Sequence, residues 1–344
     1  METMQLIQVQ STKPVIRPLR EVEEAIIIND STLELNLLKE RKQFIEANTK
    51  DVTLQHLTND CVIPVFSKDN EVTISHTNFI ETVFSAACKV FPNERIDTPE
   101  IRVSHIIKGR TPNAVHKQVN ELLEEDRTLY YERMAFVMEI PTIHEDVSGN
   151  QLTLSVGGVR AYNQENLYSK KTYEKFRVFI GFKNMVCCNM CISTDGFKEE
   201  IKVLNCSDLQ QKIIQMFQLY NVAKHLHLMN SFKEYSMTEH QFAQMIGKTR
   251  LYQCLPPKEQ KLLPKFEFND SQLNIIARNY YKDEAFCRNR DNTINLWNVY
   301  NLFTSANKNS YIDSFLDRAV NATDFLFGIS QTIGGNKEYK WFID

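Results

Sequence analysis

The sequence predicts an α+β fold, with a mostly antiparallel central sheet, helices packed on it and a helical C-terminal part. Three observations predict it. Residues 129–204 hold the densest β signals, long apolar or alternating runs separated by turn residues. From Asp208 onward apolar residues recur at helical spacing instead. Gly and Pro number only 10 each in 344 residues, too few for an all-β sandwich with many tight turns. Strands gathered in one region and helices in another suit α+β rather than alternating α/β units.

Taken in order, residues 1–30 read as a loosely ordered arm, because Pro14 and Pro18 forbid a continuous helix. The apolar run 25–28 would dock as an edge strand or bind a partner. A helix follows from Ser31, with Ser31 or Thr32 as N-cap. Residues 61–66 and 72–75 read as two strands around an Asp69-Asn70 turn. A helix capped by Ser75 or Thr77 then carries Phe79, Ile80, Val83, Phe84, Ala87 and Cys88. Residues 101–107 alternate as a strand ending in Lys108-Gly109-Arg110. Thr111 as N-cap and Pro112 at the first helical position open another helix, with Val115, Val119, Leu122 and Leu123 on one side.

In the centre, 129–140 is a strand, Ser148-Gly149-Asn150 a turn and 152–162 the return strand. Gly157-Gly158 marks a bulge or a close backbone approach. After a polar loop, 163–174, residues 176–196 read as one long strand, ending in a turn at Asp195-Gly196. Its unbroken apolar character implies burial on both faces. Residues 197–204 form one more strand. Leu209, Ile213, Met216, Phe217 and Tyr220 then share a helix face that runs to Phe232. Ser236 or Thr238 caps a short helix through Met245, and Pro256, Pro257 and Pro264 mark a loop. Asp270 caps a helix with Leu273, Ile276, Ala277 and Tyr280. Residues 296–303 and 311–327 supply two more helices, the second ending near Gly328. The organisation is thus an arm at 1–30, an α+β sheet domain at 31–206, and a helical region at 207–344 packed on the sheet.

Composition bounds the function classes. Hydrophobic residues make up 42% and charged residues 24%, which predicts a packed core. Net charge is −3, from 40 basic and 43 acidic residues. A protein that coats duplex DNA along its whole surface would be basic, so nucleic-acid binding here needs a local basic groove. No apolar run reaches the ~18 residues of a membrane span, and the start lacks a signal-peptide pattern. A cytoplasmic protein without membrane contact is expected, and its eight cysteines are expected to be free thiols.

Four constellations are candidates for chemistry. Cys188 and Cys191 have the two-residue gap of zinc and redox pairs, but no second pair accompanies them. Strand placement would also point them to opposite faces, so the thiols are expected to fill core space, with no metal and no cofactor. The segment 104–112 puts Lys108 and Arg110 at a strand end before a predicted helix N-terminus, a cradle type for phosphate or carboxylate. Third, Lys170, Lys171, Tyr173, Lys175 and Arg177, extended by Tyr131, Arg133 and Arg160, interleave cations with aromatic rings. Bases stack on rings while cations follow phosphates, which suits single-stranded nucleic acid. Finally, Glu121, Glu124, Glu125, Asp126 and Glu199-Glu200 read as exposed charges rather than metal-holding carboxylates. Histidines such as His56 and His76 lack a partner pattern.

The ordered motifs Arg102-Val-Ser-His-Ile-Ile-Lys-Gly-Arg110, Tyr131-Glu-Arg-Met-Ala-Phe136, Gly157-Gly-Val159, Phe179-Ile-Gly-Phe-Lys-Asn184 and Ser193-Thr-Asp-Gly196 resemble an uncharacterised Bacteroidales family, the domain of unknown function DUF3871. The Val186-Cys-Cys-Asn189 strand and the later Trp297, Asn301 and Thr304 also resemble a broader phage- and plasmid-borne family of unknown function. That resemblance implies a phage, plasmid or conjugative element as the setting. The expectation is a non-enzymatic nucleic-acid-binding protein, single-stranded DNA being the form the cation–aromatic pattern suits. The alternatives are an enzyme acting on nucleic acid or a nucleotide, with its site between sheet and C-terminal helices, and an interaction factor that binds a host or phage protein.

Overall fold

An antiparallel sheet forms the centre of the computed structural model, which describes residues 42–61, 73–114, 116–164 and 173–344. Its strands are β1 (Lys50–Asp51), β2 (Glu100–Arg110), β3 (Arg127–Val147), β4 (Asn150–Ala161), β5 (Glu174–Asn184), β6 (Met190–Cys191) and β7 (Phe197–Val203). They follow the order β1-β2-β3-β4-β5-β6, with β7 also paired to β5. Ser148 and Gly149 turn β3 into β4 with φ of 54° and 78°, the left-handed conformations a two-residue hairpin needs. A register shift between Ile140 and His144 interrupts β3, and Pro141 falls within it, where a missing N–H costs no ladder bond.

Period-two alternation divides the strand side chains between two faces. Met134, Phe136, Met138, Val156, Phe176, Val178 and Ile180 belong to the larger core cluster. There they meet α1 (Leu54–Asn59), α2 (His76–Val90) and α3 (Cys206–Leu219), through Leu57, Phe79, Val83, Leu209 and Ile213. Ala135, Val137, Val159 and Phe179 form a second, smaller cluster with Phe44 and Ile45. Its cover is the first half of the last helix, through Ile312, Phe315, Leu316 and Ala319. Each Val, Leu, Ile, Phe or Met side chain fully buried here contributes about 1.5–3 kcal/mol relative to exposure.

The C-terminal part contains α4 (Val222–Ser231), α5 (Glu239–Cys254), α6 (Pro257–Gln260), α7 (Asp270–Lys282), α8 (Leu296–Asn307) and α9 (Ile312–Ile333). A two-stranded ribbon, β8 (Ser236–Thr238) with β9 (Thr293–Asn295), joins them. Trp297, Tyr300 and Phe303 of α8 are buried in the same cluster as the α2 side of the sheet. Residues 42–344 form one compact unit. Among the described residues no helix is long and apolar enough to cross a membrane.

The α+β expectation holds, and several element boundaries move. Residues 176–196 are a hairpin rather than one strand: β5 stops at Asn184, the chain turns, and β6 pairs back with Phe182 opposite Cys191. The turn is closed by Cys188 N–H donating to Asn184 O at 2.7 Å, with Cys188 at φ 57°. The helix expected from Thr111 is replaced, among the described residues, by short 3₁₀ turns at Pro112–Ala114, Val119–Glu121 and Glu124–Asp126. Polar ties win there, since Asp126 accepts from Lys117 Nζ at 2.7 Å and from Leu123 N–H at 2.9 Å, which fixes a loop. The helix expected to reach Phe232 breaks at Tyr220-Asn221, where Asn221 caps α4. The last helix runs through Gly328 to Ile333; Gly328 serves packing rather than a C-cap, since the ring of Tyr339 lies where a Cβ would stand. At Gly157-Gly158 the close approach is found, and the register is unshifted. Thr73–Ser75 carry no strand, and Ser75 instead caps α2 through Asn78 N–H at 2.9 Å. The arm at 1–30, the helix from Ser31 and most of the pair 61–66 and 72–75 lie outside the described residues.

Candidate nucleic-acid interface

Alternation along β4 and β5 also sorts the candidate cations. Lys175 and Arg177 share one face of β5 and line a cleft of about 280 Å³ with Val159, Ala161, Gln164 and Glu200. Arg133 is on the neighbouring β3, opposite Ala161. Next in chain to β5, Tyr173 is 57% exposed, so its ring is open to stacking. These residues the structure does bring together.

Arg160 and Tyr131 it takes away. Arg160 is one residue out of phase with Val159 and Ala161, so it points into the α2 side of the sheet. It is buried, with its guanidinium 4.5 Å from the Tyr162 ring centroid and 4.4 Å from that of Phe176. It donates to Ile74 O and to the Glu174 carboxylate. Tyr131 is also buried, its hydroxyl 3.0 Å from His56 Nε2. Both are core residues, which corrects their assignment to a surface. Lys108 is exposed and Arg110 half-buried at the far end of β2, where Arg110 donates to Lys117 O at 2.7 Å. With no α-helix beginning at Thr111, the cradle argument for these two loses its helix N-terminus. Lys170 and Lys171 lie outside the described residues.

Carboxylates accompany the cations of the cleft. Arg177 meets Asp317 at 2.8 Å and also donates to Asp313 O, while Arg133 meets Asp313 at 3.2 Å. Those pairs pin α9 to the sheet. Lys175 and Lys202 stand directly opposite each other on β5 and β7. Glu200 bridges them, one carboxylate oxygen at 2.6 Å from Lys175 Nζ and the other at 2.7 Å from Lys202 Nζ. Hydrogen bonds from the two ammonium groups hold the Glu200 carboxyl below its ordinary range. The acidic segment before β3 is tied locally instead, Glu124 to Arg127 at 2.6 Å and Asp126 to Lys117.

Two constellations escaped the sequence. The β5–β6 turn meets α8 in a buried amide network, so the motif residues Asn189, Trp297, Asn301 and Thr304 converge. Asn189 Nδ2 donates to Asn301 O at 3.1 Å, Asn184 Nδ2 to Asn301 Oδ1 at 3.2 Å, and Asn301 Nδ2 to Trp297 O at 2.9 Å. Asn189 Oδ1 and Trp297 Nε1 have no hydrogen-bond partner among the described residues. Cys187 and Cys191 border the network, their thiols pushed up to about 11 and about 12, chiefly by burial. All eight cysteines are free, and among the described residues no group of three His, Cys, Asp or Glu is arranged to hold a metal ion. Cys188 lies on the turn between β5 and β6, so strand parity does not set its direction.

His56 is the second. Its Nδ1 lies 2.7 Å from Asp60 Oδ2 and its Nε2 3.0 Å from the Tyr131 hydroxyl, with Cys61 Sγ 3.9 Å from the same nitrogen. Burial, helped by Asp60, pushes the Cys61 thiol up to about 11, so it stays protonated near neutrality. The group staples α1 to β3. The signal in sequence was the i,i+4 spacing of His56 and Asp60.

Comparison with known proteins adds a family. No curated protein and no solved structure matches the chain. The family model described as a domain of unknown function, B. Theta Gene description (DUF3871), matches residues 21–343. With nearly the whole chain covered, the protein belongs to the DUF3871 family.

Proposed function

We propose that the protein is a non-enzymatic binder of single-stranded nucleic acid, carried by a phage, plasmid or conjugative element as the wider resemblance implies. One arrangement carries this reading: Lys175, which lines the cleft with Arg177, stands opposite Lys202 on the adjoining strand β7. Like charges directly opposite in a sheet are unfavourable, and here a single carboxylate, Glu200, stands against two ammonium groups, which leaves the patch net positive toward an anionic ligand. The two side chains are 44% and 52% exposed, within reach of a ligand. The cleft, of about 280 Å³, opens Lys175 and Arg177 to solvent, where a backbone phosphate can approach them. Tyr173 supplies a stacking ring next to the cations. Residues 165–172, with Lys170 and Lys171, connect Gln164 at the cleft to Tyr173.

The test is fluorescence anisotropy with a labelled oligothymidine of about 16 nucleotides, at salt from about 50 to about 200 mM. Binding below micromolar dissociation constants that weakens with salt is expected, and Lys175→Ala should weaken it further. Absence of binding, or binding indifferent to salt, overturns the reading.

A further inference from the structure

The bridge across the lysine pair has the geometry of a bound phosphate. Glu200 gives one carboxylate oxygen to each ammonium group, at 2.6 and 2.7 Å. Two non-bridging oxygens of a phosphodiester would be received the same way, one per lysine. Glu200 lines the same cleft as Arg177 and Gln164, so an incoming phosphate and this carboxylate compete for one position. The carboxylate is itself 37% exposed and sits on β7, a strand whose pairing within the sheet is to β5. Nothing buried needs to move for it to swing out into water.

We infer that Glu200 is an intrinsic competitor at the nucleic-acid cleft: it occupies the phosphate position between Lys175 and Lys202 and leaves when a phosphodiester enters. The inference rests on the reading of the cleft as a nucleic-acid site. It explains why a pair of facing lysines is tolerated at a sheet edge when the site is empty, since the carboxylate offsets their repulsion. It also gives the protein selectivity. A single phosphate only replaces one anion by another, whereas a polyanion brings a further phosphate to Arg177, where it competes with Asp317.

Counterion release makes the idea measurable. For single strands the slope of log affinity against log salt changes by about 0.7 for each phosphate neutralised. Glu200→Gln keeps size and shape but removes the charge. It is expected to tighten binding of the same oligothymidine about tenfold at about 50 mM salt, because two cations previously occupied become available. The slope should steepen by up to about 1.4. Glu284→Gln removes an equally charged, exposed carboxylate away from the cleft and controls for net charge. It should leave the slope unchanged. Glu200→Thr, a residue suited to an edge strand, repeats the measurement with a different side chain in case the Gln variant does not fold.

If the wild-type protein binds in a salt-dependent way and neither folded Glu200 variant tightens binding or steepens the slope beyond the Glu284 control, Glu200 is only a structural counter-charge. The competitor role is then overturned while the nucleic-acid reading stands. If wild type and variants alike fail to bind, both fall together.

Discussion

Arg160 shows how a single residue changes meaning between sequence and structure. In the chain it is one of several cations near aromatics. In the fold its side chain is wholly buried, stacked between two rings and paired with Glu174, which is 15% exposed. Glu174 also accepts the Ile74 backbone N–H at 3.0 Å, so the carboxylate serves two buried donors. Breaking such a pair leaves an uncompensated charge in the core, which costs about 3–5 kcal/mol. Glu174→Gln is therefore expected to lower the unfolding free energy measured by urea titration by that amount, whereas Arg160→Met combined with Glu174→Gln should lose less. A loss below about 1 kcal/mol in the single variant would show that water reaches the guanidinium. Parity was the missing information. Lys175 and Arg177 face the cleft because they are in phase with Val159 and Ala161, and Arg160 and Phe176 are not. That phase becomes readable only once the register between β4 and β5 is known.

Elements were legible where one strong local signal decided them. The α2 helix follows from the apolar spacing of Phe79, Ile80 and Val83 and from the Ser75 cap, and the Ser148-Gly149 turn from its residue types. The β5–β6 hairpin was not, because β5 from Val178 onward and β6 are buried on both faces and the run stays apolar through the turn. What sets the turn is a polar pair, Asn184 N–H donating to Asn189 O at 2.9 Å, with Asn184 Oδ1 taking Val186 N–H at 2.9 Å. The motif asparagines and Trp297, far apart in the chain, acquire a common role only when this turn docks on α8. Gly157 and Gly158 show the reverse case, where the sequence signal was right and the structure supplies its cause. A Cβ on Gly158 would lie 2.5 Å from the Phe79 ring and 2.7 Å from Arg177 O. On Gly157 it would lie 2.1 Å from Phe136 O. Backbone atoms on the neighbouring strand cannot retreat without breaking the ladder. Gly158→Ala is expected to cost about 1–3 kcal/mol by overpacking and to lower the melting temperature accordingly. An unchanged melting temperature would mean that α2 lies further from the sheet than the Phe79 contact requires.

At the scale of the whole molecule, the two buried histidines join the sheet to helices on either side of the chain's midpoint, and they make the fold acid-sensitive. His76 on α2 bonds Tyr131 O at 2.8 Å through Nε2 and stacks on Tyr162. His225 on α4 takes the Tyr220 hydroxyl at 2.6 Å on Nδ1 and packs its ring edge-on against Phe182. Burial lowers both, His76 to about 3, with Arg160 adding to the effect, and His225 to about 4. Both native values lie below that of an unfolded histidine, about 6.5, so the unfolded chain binds the extra protons. The stability that comes from keeping them neutral is complete above about pH 6.5 and is lost as the pH falls from there, toward about 4 for His225 and about 3 for His76. Carboxylates with lowered native values, such as Asp126 and Glu200, act in the same direction but at lower pH, below the ordinary carboxylate range near about 4. The window from about pH 6.5 to about 5 therefore isolates the histidines. Melting temperature followed by circular dichroism should be level from about pH 8 to about 6.5 and should decline below it. His225→Gln, which keeps a polar group beside Tyr220 but cannot be charged, should flatten part of that decline. A profile level down to about pH 5 would mean that both rings reach water in the native state, and that the interfaces of α2 and α4 with the sheet are looser than their packing implies.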